Sequence, residues 1–430
     1  MMLFLLFLTF QYLLFNASGE KIHIYVLAGQ SNMVGHGLIN ATDTHGNQKN
    51  GTLLYQLSDP RTKDEFQILW DASKNEWRTL EDVKIWFNQA GEETGENGST
   101  IPGKNGKDYS AGSLKIGYGA GRDDIDDDDS EAVGSLNIEY GAGWPPNGPF
   151  FGPEIGFGFN LDIPAGDKVL LIKTAWGGKD LARDYRPPTS ARTVDRFCVQ
   201  PDCDPFVVGH FYHVMLQDVK MLLKPGVIGK IYPDLANMTA ELSGFGWFQG
   251  WNDGCDVNYT AAYETNMVHL IQDLRRAWNN PHLPVSIGIS GFFGWDNIGK
   301  NRGPPGCWDG PNATKINCNC DSDGGCRRID IILSQMAAAN LTKHPELECC
   351  VEAVETRDFW RPKEYSPSGQ GYHFNWNAES HYLIGKAMAE GMTRAQQAYQ
   401  KYKGGISQGT RQSVKKNSGN RVLEQLTLQH

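Results

Sequence analysis

The sequence predicts an α/β chain: a three-layer α/β/α sandwich built on a central parallel sheet, with polar surface insertions. Three observations carry this reading. Apolar, β-rich runs of strand length alternate with longer helical patterns. The first such run, residues 22–28, passes straight into Gly29-Gln30-Ser31-Asn32, so that a buried strand ends in polar groups where an open α/β sheet keeps its chemistry. The chain has 430 residues, enough for one large domain with insertions or for two domains. Strands alternating with helices of this length fold as parallel strands joined by right-handed crossovers, with helices on both faces.

The elements follow in order. Residues 1–19, MMLFLLFLTFQYLLFNASG, read as a secretory signal peptide. The apolar run from Leu3 to Phe15 is short for a membrane span, and Ala17, Ser18 and Gly19 are small, as a cleavage site requires. The basic residues that usually open such a leader are missing, which keeps a retained anchor as the alternative. The domain proper is expected over residues 20–400. Its strands are expected at 22–28, 168–174, 228–232, 244–248, 284–291 and 349–356. Helices are expected at 207–223, 261–278, 328–342 and from about 377 to 402. Residues 89–149 interrupt the pattern as a Gly-, Asn- and Asp-rich insertion, within which GSLKIGYGAG (112–121) returns as GSLNIEYGAG (134–143). Its acidic run at 122–132 lacks the spacing of a calcium loop and reads as solvated surface. A second insertion is expected at about 300–327, and residues 401–430 read as a disordered polar tail.

Composition narrows the class. A formal net charge of -10 argues against a nucleic-acid partner, and 21% charged with 11% aromatic residues marks a globular chain. After the leader no stretch is long and apolar enough to span a membrane, so a soluble, extracellular protein is expected once the signal is removed. Sequons at Asn40, Asn50, Asn97, Asn237, Asn258, Asn312 and Asn340 agree with secretion. So do nine cysteines, most of which would pair in an oxidising compartment. Cys198 and Cys203 would close a small loop. Cys307, Cys318, Cys320 and Cys326 cluster in the second insertion, where zinc is a weaker reading because paired C-x-x-C and histidine are absent. Oligomeric state is not legible.

Four segments carry reactive residue types: Gly29-Gln30-Ser31-Asn32-Met33, TAWGGKDL at 174–181, GWFQGWND at 246–253 and GQGYHFNWNAES at 369–380. The first three follow strands and the fourth precedes the last helix, so all can converge at the carboxyl edge of a sheet. Their chemistry fits acyl transfer. Ser31 needs a base, which His373 supplies. The oxyanion needs donors, for which Gly178, Gln249 and Asn252 qualify. Trp176, Trp251 and Trp376 lie beside these segments, where an aromatic face can stack on a sugar ring, although a tryptophan is more often core. His381 reads as a surface or packing residue, and Asp253 as a brace.

On these residues the chain resembles the SGNH (GDSL-like) hydrolases, and most closely the carbohydrate esterases of the sialate O-acetylesterase-like, acetyl xylan esterase-related group. Gly29-Gln30-Ser31-Asn32-Met33 matches the group's opening signature, Gly177-Gly178 the second block, Gln249-Gly250-Trp251-Asn252-Asp253 the third and His373 the last. The resemblance spans about residues 22–398. It implies a flavodoxin-like fold and a secreted serine esterase that removes acetyl groups from carbohydrate of the sialic acid or xylan type. Ser31 would be nucleophile and His373 base. Ser31 and Gly178 N–H, with Gln249 or Asn252, would form the oxyanion site, and Gln30, Asn32, Trp176 and Trp251 would contact substrate. No metal or organic cofactor is implied. One departure matters: the usual D-x-x-H carries Gln370 in place of Asp. Asp358 is favoured as the third member, ahead of Glu355, with a carbonyl-oriented Ser–His pair as the alternative. The rivals are an esterase or lipase for non-sugar acyl groups and a carbohydrate-binding protein that has lost turnover.

Overall fold

The computed structural model describes residues 20–41, 49–87, 134–136, 150–191, 209–297 and 328–426. The strands of its main sheet are β1 (Lys21–Gly29), β2 (Leu80–Phe87), β3 (Gly134–Leu136), β4 (Lys168–Ala175), β5 (Thr239–Phe248), β6 (Val285–Gly288) and β7 (Val351–Val354). They form one sheet in the order β7-β6-β5-β1-β4-β2-β3. Every pairing is parallel except that of β3 with β2. The chain builds to one side of β1, then crosses to the other with β5, β6 and β7.

Side-chain alternation along β1 assigns the two faces. Ile22, Ile24, Val26 and Ala28 join one apolar cluster, while Tyr25 and Leu27 join the other. The helices that frame the sheet and its edge include α1 (Ser31–Val34), α2 (Pro153–Phe159), α3 (His210–Leu222), α4 (Val257–Ala277), α5 (Arg328–Ala338) and α6 (Ala378–Leu426). The first cluster packs on α3, α4 and α5 through residues such as Met215, Met267 and Ile331. The second packs on α2 and α6 through Ile155, Phe157, Tyr382 and Met388. The expected three-layer α/β/α sandwich is therefore the observed fold. No helix among the described residues is long and apolar enough to cross a membrane.

Some elements differ from expectation. Residues 228–232 are not a strand: residues 228–231 fall in a short helix, Val227–Ile231, that follows left-handed Gly226 (φ 79°), and Tyr232 ends it. Its β-branched residues suggested a strand, but Ile228 is buried and Tyr232 sends its hydroxyl to the Ile85 carbonyl, a helical spacing of four. Strand β2 was not foreseen because its first residues are exposed and charged and only its second half is buried. Strand β3 lies inside the expected 89–149 insertion; residues 88–133 and 137–149, with the acidic run, lie outside the described residues. So do Cys198, Cys203 and the cysteines of the second insertion. Helix α6 runs past the expected end near 402 to Leu426. Cys349 and Cys350, neighbours in sequence, are bonded to each other, and Cys255 is also in a disulfide.

Helices α2 and α6 meet backbone to backbone. A methyl group on Gly156 would lie 1.9 Å from Tyr382 O, and one on Gly385 would lie 1.9 Å from Pro153 O. Neither oxygen belongs to a side chain that can turn away. Gly385→Ala is therefore expected to lower the stability of the domain by about 2–3 kcal/mol or more, since overpacking a close contact shifts backbone. Denaturant unfolding of the variant checks this, and an unchanged midpoint contradicts the crossing.

Candidate active site

The sheet delivers three loops to one place. Gly29 of β1 lies between Ala175 of β4 and Phe248 of β5. The residues that follow each strand therefore start from adjacent points on the carboxyl edge. Gly29 admits no side chain, because a methyl group there would lie 2.1 Å from Phe248 O. The buried Tyr185 hydroxyl lies 2.9 Å from Gly29 O and 2.8 Å from Thr174 O, joining the ends of β1 and β4.

The amide side chains of the first block tie the loops together. Gln30 Oε1 accepts from Gly250 N–H (3.1 Å) and Asn252 N–H (3.3 Å), and Gln30 Nε2 donates to Asn252 Oδ1 (3.3 Å). Asn32, 1% exposed, donates from Nδ2 to Tyr372 O at 2.9 Å. The substrate contacts expected of Gln30 and Asn32 thus give way to structural ones. Gln30 joins the Ser31 turn to the third block, and Asn32 joins it to the residue before His373.

The expected oxyanion donors separate in the same way. Gly177 and Gly178 are exposed, Gly178 is left-handed (φ 72°), and its N–H makes no hydrogen bond among the described residues. Asn252 is half-buried; one of its two amide hydrogens goes to Gly178 O, leaving the second available. Gln249 is committed elsewhere. Its Nε2 donates to Lys179 O (3.1 Å) and Asp253 Oδ2 (2.6 Å), and its Oε1 accepts from Tyr263. Its amide hydrogens are spent on the brace expected of Asp253, whose carboxylate also accepts from Leu181 and Ala182 N–H at 2.9 and 3.0 Å. Burial holds the Asp253 carboxyl above the usual carboxylate range.

Two tryptophans expected at substrate are core. Trp176 is 6% exposed and packs on Phe211 and Tyr185. One face of Trp251 is covered by the Arg328 guanidinium, 3.3 Å from the ring centroid, and its edges meet Phe292 and Tyr372.

The fourth segment holds His373 in a loop whose next residues, Phe374, Asn375 and Trp376, all have positive φ (50°, 54° and 61°). Such a run of non-glycine residues is strained and persists only where its surroundings impose it. Phe374 is fully buried against Phe248, Phe292 and Trp360, and Asn375 Nδ2 donates to Arg361 O. His373 Nδ1 lies 3.2 Å from Gln370 Oε1. The orienting group expected at Asp358 is not there: Asp358 is exposed, its carboxylate accepts from Trp295 Nε1, and it makes no bond to His373. Glu355 is paired with Arg357. A side-chain carbonyl fills the position instead.

Two further histidines complete the centre. His36 stacks on His373 with centroids 3.6 Å apart and planes 15° from parallel. Its Nδ1 lies 3.0 Å from Ser31 O and carries the proton there, since a carbonyl only accepts. His381, expected as a surface or packing residue, is fully buried; the backbone of His373 and Asn32 acts on its ring, but neither ring nitrogen has a well-formed hydrogen bond. His36 lies five residues after Ser31 and three past the opening block, with no motif to mark it. Ser31 is almost buried and no hydrogen bond joins its Oγ to His373; such bonds often tighten only with substrate. Beneath the turn, fully buried Lys173 Nζ donates to Val34 O (2.6 Å) and Glu154 (2.7 Å). No group of three or more potential metal ligands occurs among the described residues.

Comparison with known proteins shows what part of the chain is similar to. Residues 136–297 match the model of the family described as carbohydrate esterase, sialic acid-specific acetylesterase. Over that span the chain is similar to carbohydrate acetylesterases, which are carboxylic ester hydrolases. The matched span holds Gly178 and Asn252; Ser31 and His373 lie outside it. No curated protein matches the chain. Among solved structures, a protein from Arabidopsis thaliana is 12% identical with a TM-score of 0.42, covering 87% of this chain and 98% of that one. A carbohydrate acetylesterase from Xanthomonas citri is 12% identical with a TM-score of 0.42, covering 86% of this chain and 57% of that one. NanS is 14% identical with a TM-score of 0.30, covering 63% and 67%.

The three histidines make stability depend on pH. Burial, before any neighbouring charge, lowers His36 from 6.5 to about 4, His373 to about 2 and His381 to about 3. Each ring is neutral in the fold and titrates ordinarily when unfolded. Their contribution is complete above pH 6.5 and is lost as pH falls toward the folded values, because the unfolded chain then takes up protons that the fold refuses. Each ring is expected to cost about 1 kcal/mol per pH unit across that window. Thermal melts at pH 7, 6 and 5 check this, with Tm expected to fall at each step.

Proposed function

We propose that the protein is a secreted serine esterase that removes acetyl groups from O-acetylated carbohydrate through a Ser31–His373 acyl-enzyme. The observation that carries this reading is the convergence of Ser31, the free Gly178 N–H, Asn252 and His373 at one sheet edge, within a carbohydrate-esterase chain. Ser31 Oγ attacks the acetyl carbonyl carbon while His373 Nε2 takes its proton. Ser31 and Gly178 N–H, with the second hydrogen of Asn252 Nδ2, hold the oxyanion. Gln249 braces these donors from behind. The carbon–oxygen bond to the sugar breaks, and His373 returns the proton to the departing hydroxyl. Water, deprotonated by His373, then releases acetate and restores Ser31.

Gln370 Oε1 keeps the proton of His373 on Nδ1, leaving Nε2 as the basic nitrogen. A neutral oxygen orients the ring but does not offset the charge that forms on it, so turnover is expected to be slower than with a carboxylate. The disulfides at Cys349–Cys350 and Cys255 support an oxidising compartment and hence secretion. The substrate is proposed to be acetylated sialic acid or xylan, with the deacetylated carbohydrate and acetate as products.

Acetate release from acetylated xylan and O-acetyl sialic acid tests the reading. Ser31→Ala is expected to lower turnover by a factor of about a thousand or more, with an unchanged melting temperature. Asn252→Ala is expected to lower kcat about a hundredfold. Sugar binding without acetate release, and without a covalent adduct from a serine-directed phosphonate, would instead establish a binding protein.

A further inference from the structure

A glutamine is an ambiguous partner for a catalytic histidine. Its carbonyl and NH₂ ends have nearly the same shape, and opposite hydrogen-bonding sense. With oxygen toward Nδ1, the imidazole carries its proton on Nδ1 and Nε2 is a base. With NH₂ toward Nδ1, the proton moves to Nε2, which then has no lone pair to receive the serine proton. A carboxylate has no wrong end. A chain that carries Gln370 must therefore settle which end faces the ring.

The same oxygen has a second partner. Trp376 Nε1 lies 3.1 Å from Gln370 Oε1, which is also 3.2 Å from His373 Nδ1. An indole N–H donates and never accepts, so the atom between these two rings must be the oxygen. Gln370 Nε2 makes no hydrogen bond among the described residues. Turning the amide over would place NH₂ against the indole donor. Trp376 reaches this point because the left-handed run Phe374–Asn375–Trp376 folds the chain back on itself. Asn375 N–H donates to Gln370 O at 3.0 Å and Gln370 N–H to Ser368 Oγ at 3.0 Å. Phe150 meets the indole edge-on at 5.2 Å and holds it in place.

We infer that Trp376 is a positioning residue that locks the Gln370 amide with its oxygen toward His373, and so fixes the base in its active tautomer. The inference rests on the Ser31–His373 reading. It makes the strained loop part of the mechanism: the strain places a donor-only side chain where a glutamine needs one.

The test is a double-mutant cycle of Trp376→Phe and Gln370→Glu, read as kcat and KM on an acetyl ester, with Ser31→Ala alongside. In the native background Trp376→Phe is expected to lower kcat ten- to a hundredfold with KM within about twofold. In the Gln370→Glu background the same change is expected to cost less than about threefold, because a carboxylate needs no locking. Gln370→Glu is also expected to move the acid limb of kcat/KM to higher pH, since a negative charge joins the neutral His36 and His381 around the ring. Equal losses in both backgrounds, or no loss in the first, overturn the inference. Should Trp376→Phe not fold, ¹⁵N NMR of the native protein decides, with the His373 signal assigned by its absence in His373→Asn. A proton on Nδ1 supports the lock and a proton on Nε2 overturns it. Activity retained in Ser31→Ala would instead reject the underlying reading.

Discussion

The site depends on one register. Parallel pairing sets Gly29 beside both Ala175 and Phe248, so three strands end at one level. From that level Ser31 is two residues away, Gly178 three and Gln249 one. The register in turn depends on the absence of a side chain at Gly29, where the Phe248 carbonyl fills the space. The loops are then joined by short polar links: Gln30 to the third block, Asp253 to the second and Asn32 to the last. These links are buried, where an amide or carboxylate that lost its partner would be costly, so the geometry of the edge is held from several directions.

The same physics separates the groups that build the edge from those left to react. Gln249 and Asn252 are three residues apart and chemically alike. Gln249 is 2% exposed with its polar atoms committed, whereas Asn252 is half-buried with a hydrogen to spare. The division follows from depth. A deep amide must satisfy itself within the protein, while a shallow one can wait for a ligand. Trp176 and Trp251 obey the same rule: beside the edge but beneath it, they are walls of the core.

The layers, the parallel sheet and the meeting of the four segments were legible because they rest on strand-length apolar runs and on glycine and amide residues at strand ends. Depth was not legible. Gln30, Asn32 and Gln249 looked like ligand contacts because residue type does not reveal whether an amide faces a crevice or a neighbouring loop. Gln370 read as a missing acid, since the sequence does not show that His373 turns its Nδ1 toward a side-chain carbonyl. The left-handed Phe374–Trp376 run carries no glycine to announce it. Residues 228–232 misled because β-branched residues at helical spacing resemble a short strand. Strand β2 was hidden by its charged, exposed start.

Charge is arranged sparingly around the reacting groups. His373, His36 and His381 are held neutral, Gln370 and Asn252 are amides, and Lys173 beneath is matched by Glu154. The three rings and the two amides thus bring no net charge of their own, and the ionisable groups of the edge, Lys179 with Asp184, stand beside Gly178 rather than beside His373. Charge that could tell one ligand from another therefore sits at the rim of the edge, where it can change without disturbing the uncharged groups behind it.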